Sequence, residues 1–118
     1  MRQSLENKQN PIDESIFDIF ELDMEGVDLT ERLFLTLNEQ AIIVLKVKEK
    51  LYAIGDICSH DDGPLDDGLI EDHCIVCPRH GAEFDIRSGK ALTMPAIKDI
   101  PSYPVYQVGN TLFIGMKK

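Results

Sequence analysis

The chain has 118 residues, with 43% hydrophobic and 28% charged side chains, as expected for one soluble globular domain. Its 21 acidic and 12 basic residues give a net charge of −9, which disfavours nucleic acid and anionic membrane surfaces as partners. No apolar run is long enough to span a membrane, and the polar start, Met1 to Asn7, predicts neither a signal peptide nor an anchor. We therefore expect a cytoplasmic protein.

The first half of the chain predicts a flexible tail followed by short strands. Residues 1–14 are polar, so we expect a tail there and a single domain over residues 15–118. The alternation in Ile16–Leu22 predicts a first strand. Turn residues then separate three further segments that predict a meander: Arg32–Leu37, Ala41–Val47 and Leu51–Ile54.

The second half has the same character. Short apolar segments at Leu69-Ile70 and Ile75-Val76 predict a hairpin, and Ala91-Leu92 predicts a short strand. Prolines mark an extended segment that cannot be a central strand: Pro95, Pro101 and Pro104. A last hairpin is predicted from Tyr103–Val108 and Thr111–Gly115. Nine or ten strands and no convincing helix predict an all-β sandwich or barrel.

Two short segments contain paired soft metal ligands. Cys58 and His60 form Cys-x-His, and after sixteen intervening residues Cys77 and His80 form Cys-x-x-His. Thiolate sulfur and imidazole nitrogen are the ligands that a transition metal prefers in proteins. Gly and Pro crowd around both pairs, which predicts two loops that meet at one end of a small β structure.

These residues resemble the Rieske [2Fe-2S] family, in which two histidines replace two cysteines on one iron. The resemblance is dense from about Leu51 to Val105, and further matching positions surround the ligands: Gly63-Pro64-Leu65, Gly68, Ile75, Pro78, Gly81, Phe84-Asp85 and Gly89. It implies one [2Fe-2S] cluster per chain, with Cys58 and Cys77 on the inner iron and His60 and His80 on the outer iron. It also implies an antiparallel β base with a small cluster-binding lobe inserted at about residues 57–90.

A structural zinc ion is the alternative for the same four ligands. Zinc pairs usually stand two to five residues apart, whereas Cys58 and His60 are separated by one residue. A zinc site also does not explain why Gly and Pro residues stand at these particular distances from the ligands. We therefore favour the cluster over zinc.

Three features argue against a quinol-oxidising Rieske subunit of a cytochrome bc complex. Those relatives have a disulfide between their cluster loops, and the corresponding positions here are Gly63 and Arg79. Three cysteines also argue against a disulfide framework. The membrane anchor of those subunits has no counterpart either.

Two polar residues near the motif need separate interpretations. Cys74 and Cys77 form Cys-x-x-Cys, but Cys74 is interpreted as a small strand residue rather than a ligand. His73 is interpreted as a turn residue that tolerates left-handed φ, and not as a third imidazole ligand.

Six acidic residues lie within twelve positions after the first ligand pair: Asp61, Asp62, Asp66, Asp67, Glu71 and Asp72. They form either a solvated loop face or an acidic collar that steers a partner with a basic docking surface. The resemblance is closest to the Rieske-type ferredoxins of bacterial aromatic-ring-hydroxylating oxygenase systems. It implies a one-electron carrier, not an enzyme, between a flavin reductase and a terminal oxygenase or other acceptor.

Other functions are left open by the sequence. The chain could be a small Rieske subunit of another redox enzyme, an accessory of iron–sulfur assembly, or a structural or regulatory module. A monomer or weak oligomer is expected.

The resemblance also bears on the reduction potential. High-potential relatives have a serine two residues after the second ligand histidine and a tyrosine two residues further on, and both donate hydrogen bonds to cluster or cysteine sulfur. The corresponding residues here are Ala82 and Phe84, which lack a hydroxyl group. Because such donors stabilise the reduced state, we expect a potential near the bottom of the Rieske range, around −150 mV.

Overall fold

The structure is a computed structural model and describes residues 12–27, 32–57, 63–65, 68–78, 81–93 and 98–118. Ten strands and no helix are present in these ranges. They are β1 (Phe17–Asp23), β2 (Leu33–Leu37), β3 (Gln40–Val47), β4 (Lys50–Gly55), β5 (Leu69–Glu71), β6 (Cys74–Val76), β7 (Glu83–Asp85), β8 (Ser102–Tyr103), β9 (Val105–Val108) and β10 (Thr111–Lys117). The prediction of an all-β chain is confirmed.

The chain divides into two compact units. The first comprises residues 1–27 and 103–118, and its three antiparallel strands have the order β1-β10-β9. The second comprises residues 28–102 and contains the sheet β5-β6-β7. The boundary between the units falls within β8, which is the last strand of the sheet β2-β3-β4-β8. The predicted tail lies outside the described residues up to Pro11, and Ile12 is buried.

The meander β2-β3-β4 carries the chain to the first predicted ligand loop. Its hairpins close with two-residue turns in which all four turn residues have positive φ: Asn38, Glu39, Lys48 and Glu49. Such turns match the right-handed twist of antiparallel strands. Ile43 on β3 lies opposite Ile54 on β4, and both are fully buried.

The β5-β6-β7 sheet lies between β4 and β8 in chain order and was predicted only in part. The hairpin of β5 and β6 is confirmed, whereas β7 was missed. The predicted strand at Ala91-Leu92 is wrong, because Ala91 makes one isolated bridge to Phe84.

The strand predicted over Tyr103–Val108 is interrupted at Pro104, which has no N–H to donate. As predicted for the proline-rich segment, β8 lies at the edge of its sheet.

One buried apolar cluster supports the second unit. Members from β3 and β4 pack together with members from the segment that carries the predicted ligands: Ile43, Leu45, Val47, Ile54, Leu65, Ile75, Cys77, Ala82, Phe84, Ile86 and Ile100. The bases of both predicted ligand loops therefore belong to one core.

Candidate metal centre

Asp56 closes the base of the first loop. It follows β4 directly, and its N–H donates to the carbonyl oxygen of Ala41 at 2.9 Å. Its Oδ1 accepts a hydrogen bond from the N–H of Leu65 at 2.8 Å. Leu65 is fully buried, so this bond joins the core to the end of β4 across residues 57–64. Two predicted ligands in that segment, Cys58 and His60, lie outside the described residues.

The second loop is closed by two backbone hydrogen bonds. The N–H of Cys77 donates to the carbonyl oxygen of Ala82 at 2.7 Å, and the N–H of Gly81 donates to that of Cys77 at 3.0 Å. Gly81 has φ +77°, a conformation that glycine adopts without steric cost. The remaining predicted ligand, His80, lies outside the described residues.

Gly68 lets the two loop bases approach each other closely. A Cβ atom at this position would lie 2.6 Å from the carbonyl oxygen of Val76 and 2.9 Å from Cγ1 of Ile75. The N–H of Gly68 also donates to the carbonyl oxygen of Leu65 at 2.8 Å. A larger residue would therefore push the first loop away from β6, which leads directly into Cys77.

The surroundings of Cys77 fit a cluster ligand. Cys77 is 1% exposed and belongs to the same buried apolar cluster as Leu65, Ala82 and Phe84. An apolar shell that keeps water from a coordinating sulfur is a means by which proteins tune iron–sulfur centres. Among the described residues, Cys77 is therefore one buried candidate sulfur ligand at the end of a strand, with a tight turn after it.

Cys74 is a residue of β6, as predicted. Its Sγ lies 3.7 Å from Oε1 of Glu83 and donates to it. Burial raises the pKa of the Cys74 thiol, and three nearby carboxylates raise it further: Glu83, Asp85 and Glu71. The thiol form is therefore favoured.

The interpretation of His73 as a left-handed turn residue is wrong. The residue with positive φ is Asp72, at 57°, whose short side chain tolerates that conformation and forms an ion pair with Lys48. The His73 ring packs edge-on against Tyr52, with centroids 5.9 Å apart. His73 thus anchors the turn to β4.

Four members of the predicted acidic collar lie outside the described residues: Asp61, Asp62, Asp66 and Asp67. The other two, Glu71 and Asp72, are exposed. Ala82 and Phe84, which occupy the hydroxyl positions of high-potential relatives, are both fully buried.

Sequence reasoning missed two residues that support the loops. Asp56 is one, and Arg32 is the other, because its Nη2 donates to the carbonyl oxygen of Gly68 at 2.5 Å. An Asp directly after a strand is a weak indication of a turn, and nothing in the sequence connects Arg32 to Gly68.

Comparisons with known proteins identify the family of this chain. The Rieske [2Fe-2S] domain family model matches residues 21–104. The 3-phenylpropionate/cinnamic acid dioxygenase ferredoxin subunit of Shigella boydii serotype 4 (strain Sb227) is 37% identical in an alignment of 91 residues that covers 75% of this chain and 86% of that protein.

Solved structures show the same likeness. The Sphingomonas yanoikuyae B1 ferredoxin has a TM-score of 0.72 and 26% identity, covering 84% of this chain and 99% of that one. A chain from a complex of reduced oxygenase and oxidized ferredoxin in carbazole 1,9a-dioxygenase has a TM-score of 0.72 and 19% identity, covering 85% of this chain and 95% of that one. The described residues include no helix able to span a membrane. The chain therefore belongs to the Rieske [2Fe-2S] family, holds one [2Fe-2S] cluster and is an electron-transfer protein rather than an enzyme.

Proposed function

We propose that this protein carries single electrons in the cytoplasm from a flavin reductase to the terminal oxygenase of an aromatic-ring-hydroxylating system. The observation that carries the proposal is the 37% identity, over 75% of the chain, to the ferredoxin subunit of a dioxygenase. The sequence has no Gly-rich nucleotide-binding loop, so its electrons come from another protein.

We further propose that Cys58, His60, Cys77 and His80 hold the cluster. When bound, the cluster supplies a one-electron redox couple. Cys77 would contribute a sulfur from the core, held by the hydrogen bonds that close its turn. Asp56 and Gly68 would fix the first loop against the second. Loops held in this way change little on reduction, which favours rapid electron transfer.

The acidic collar would steer a partner with a basic docking surface, since oppositely charged surfaces raise the association rate. The net charge of −9 supports a monomer or weak oligomer, because copies of the chain repel each other. The predicted lobe, residues 57–90, would carry both the cluster and this collar.

Reconstitution with the cognate reductase and oxygenase tests the transfer route. Aromatic product should form from NAD(P)H only when all three proteins are present, and stopped-flow mixing should show the oxygenase oxidising the reduced ferredoxin. Cluster-free protein is the control. The proposal fails if the oxygenase leaves the reduced, cluster-loaded protein unoxidised.

The ligand assignment has its own test. Purified protein should contain two irons and two labile sulfides per chain, and its reduced form should have an EPR signal with an average g value below 2. His60→Cys and His80→Cys should shift this signal toward that of an all-cysteine cluster or abolish assembly, whereas Cys74→Ser should leave it unchanged. One tightly bound zinc in protein purified anaerobically with ample iron would contradict the assignment.

A further inference from the structure

The sheet β1-β10-β9 has apolar groups on both of its sides. On β10, three alternate residues are buried, so the residues between them point to the opposite side: Leu112, Ile114 and Met116. We call this opposite side the outer face. It carries four half-buried aromatic or aliphatic side chains: Phe17, Ile19, Tyr106 and Phe113. Because a side of an antiparallel sheet that faces only water is normally polar, the outer face is a candidate interaction surface.

A groove of about 350 Å³ lies on the outer face. Phe17 and Ile19 line it from β1, and the rings of Tyr106 and Phe113 line it from β9 and β10. These two rings are stacked, with centroids 4.7 Å apart and an angle of 9° between their planes. The groove therefore has an aromatic floor of fixed geometry.

The charged residues of the groove favour a cationic ligand. Three carboxylates line the groove, from Glu14, Asp18 and Glu21, together with one lysine, Lys118. Among the residues that the structure describes, Asp18 and Glu21 form no ion pair. The groove thus combines an aromatic floor with an excess of negative charge, which is the combination that binds cations by electrostatic and cation–π attraction.

Glu21 and the stacked rings form one row across the three strands. Glu21 lies opposite Phe113, and Phe113 lies opposite Tyr106. Because adjacent strands are about 4.8 Å apart, a cation beside Glu21 also reaches the ring face of Phe113 that Tyr106 does not cover. A guanidinium group fits this position better than an ammonium group, since it can stack on the ring while it donates two hydrogen bonds to the carboxylate.

We infer that the outer face binds an arginine side chain of a partner protein, held between Glu21 and Phe113. A free cation would gain little from one exposed carboxylate. In a protein segment, the residues on either side of the arginine would also bury apolar surface against Phe17 and Ile19. The site belongs to the unit of residues 1–27 and 103–118, so it contains none of the residues proposed to hold the cluster. The inference is therefore independent of the proposed function.

The test titrates two small probes into the cluster-loaded protein and follows backbone amide chemical shifts by NMR. N-acetyl-arginine amide should shift amides of β1, β9 and β10. N-acetyl-citrulline amide has a similar shape without the charge, and at equal ionic strength it should shift none of them. Equal responses to the two probes, or no shifts with the arginine probe, would overturn the inference.

A short peptide tests whether the ligand is a protein segment. Acetyl-Leu-Arg-Leu amide should bind several-fold more tightly than the single residue, because its leucines reach Phe17 and Ile19. Equal affinities of the peptide and the single residue would overturn the assignment to a protein partner.

Two matched variants locate the site. Glu21→Gln should raise the Kd of the peptide about fivefold. Glu25→Gln removes the same charge from an exposed position beyond the end of β1 and should leave the Kd unchanged. Both side chains are exposed, so both variants should keep the visible spectrum of the cluster. Equal Kd values for the two variants would overturn the inference.

Two other occupants of the outer face are distinguished by the same titration. A second copy is disfavoured by the net charge of −9 on each chain, and a dimer in sedimentation that the peptide dissociates would show it. The chain's own residues before Ile12 are the other, since a Cβ atom at Gly115 would lie 2.9 Å from Cγ2 of buried Ile12. Tighter peptide binding by Arg2→Gln/Lys8→Gln, which removes two cations from that segment, would show this second case. Either result would overturn the inference, whereas a monomer with the wild-type Kd in the double variant supports a separate partner.

Discussion

The Asp56 side chain closes the base of the first predicted ligand loop with one hydrogen bond. Its carboxylate accepts the N–H of fully buried Leu65, and its own N–H donates to the carbonyl oxygen of Ala41 on β3, so one end of the loop is tied to the core and the other to β3. The contribution of Asp56 depends on one acceptor oxygen, Oδ1, so a substitution that removes this oxygen can be compared with one that keeps it.

We predict that Asp56→Ala destabilises the first loop. The substitution leaves the Leu65 N–H without its carboxylate acceptor, a loss of about 1–3 kcal/mol for a buried donor. The cluster absorbance should therefore decay faster in the presence of an iron chelator. Asp56→Asn retains Oδ1 as an acceptor and should behave much more like the wild type. Identical decay of the Ala variant and the wild type would show that the hydrogen bond does not support the loop.

We predict that Ala82→Ser raises the reduction potential by tens of millivolts, where about 59 mV corresponds to 1.4 kcal/mol for one electron. Ala82 is fully buried and its carbonyl oxygen accepts the Cys77 N–H, so a hydroxyl there lies close to the proposed ligand sulfur. A donor near sulfur stabilises the reduced state. Phe84→Tyr should act in the same direction.

Redox titration followed by EPR measures the change in potential, and Ala82→Cys, which has only a weak donor, is the control. A wild-type potential above about +100 mV, in the upper part of the Rieske range, would show that our interpretation of Ala82 and Phe84 is wrong.

At the residue scale, the sequence could identify ligands but not their supports. The spacing of two Cys-His pairs is a local pattern, so it is visible without a structure. Asp56 contacts a residue nine positions away, and Arg32 contacts one 36 positions away, so each pairing exists only after the chain has folded. The predicted ligand geometry itself stays a prediction, since Cys58, His60 and His80 lie outside the described residues.

At the scale of elements, the hairpin of β3 and β4 has a turn with unusual residues. Lys48 and Glu49 have φ values of 51° and 70°, and neither is the Gly or Asn that such turns favour. A side chain with a Cβ atom in the left-handed region costs about 1–2 kcal/mol. The flanking strands must therefore impose this turn.

We predict that Glu49→Gly stabilises the protein by about 0.5–1 kcal/mol, since relief of the left-handed strain outweighs the extra flexibility of glycine in the unfolded chain. Glu49→Ala removes the same charge but keeps the Cβ atom, so it should bring no such gain. Urea unfolding of the cluster-loaded protein, monitored by circular dichroism, measures the difference. Equal midpoints for the Gly and Ala variants would contradict the prediction.

The elements that sequence patterns missed are short or interrupted. Most longer strands were predicted to within one or two residues, because their alternation matches the burial of one side, as in β2. β7 has three residues, and it pairs with β6 across a turn. The hydrogen bond from the Cys77 N–H to the carbonyl oxygen of Ala82 closes that turn. Tertiary contacts, rather than local propensity, determine such short strands.

At the scale of the whole molecule, the described parts of the proposed metal centre all belong to one unit. Asp56, Gly68, Cys77 and Ala82 lie between residues 28 and 102, and the core cluster lies there as well. The sheet β1-β10-β9 belongs to the other unit and contributes no member to that cluster. Carboxylates, in contrast, are distributed over both units. Neutralising the same number of carboxylates in each unit therefore distinguishes the effect of their position from the effect of the net charge.

Our last prediction concerns the net charge of −9 and its arrangement. Because screening at ~0.15 M salt shortens the reach of charge to ~8 Å, electron transfer to a basic partner at low protein concentration should slow as salt is added. Asp66→Asn/Asp67→Asn should lower the association rate more than it lowers transfer within the complex. Asp18→Asn/Glu21→Gln on β1 changes the net charge equally, so a smaller effect there would assign the steering to the acidic collar rather than to total charge. Stopped-flow measurements of the second-order rate of electron transfer over a range of salt concentrations test this prediction. A rate that is independent of salt would contradict steering by charge.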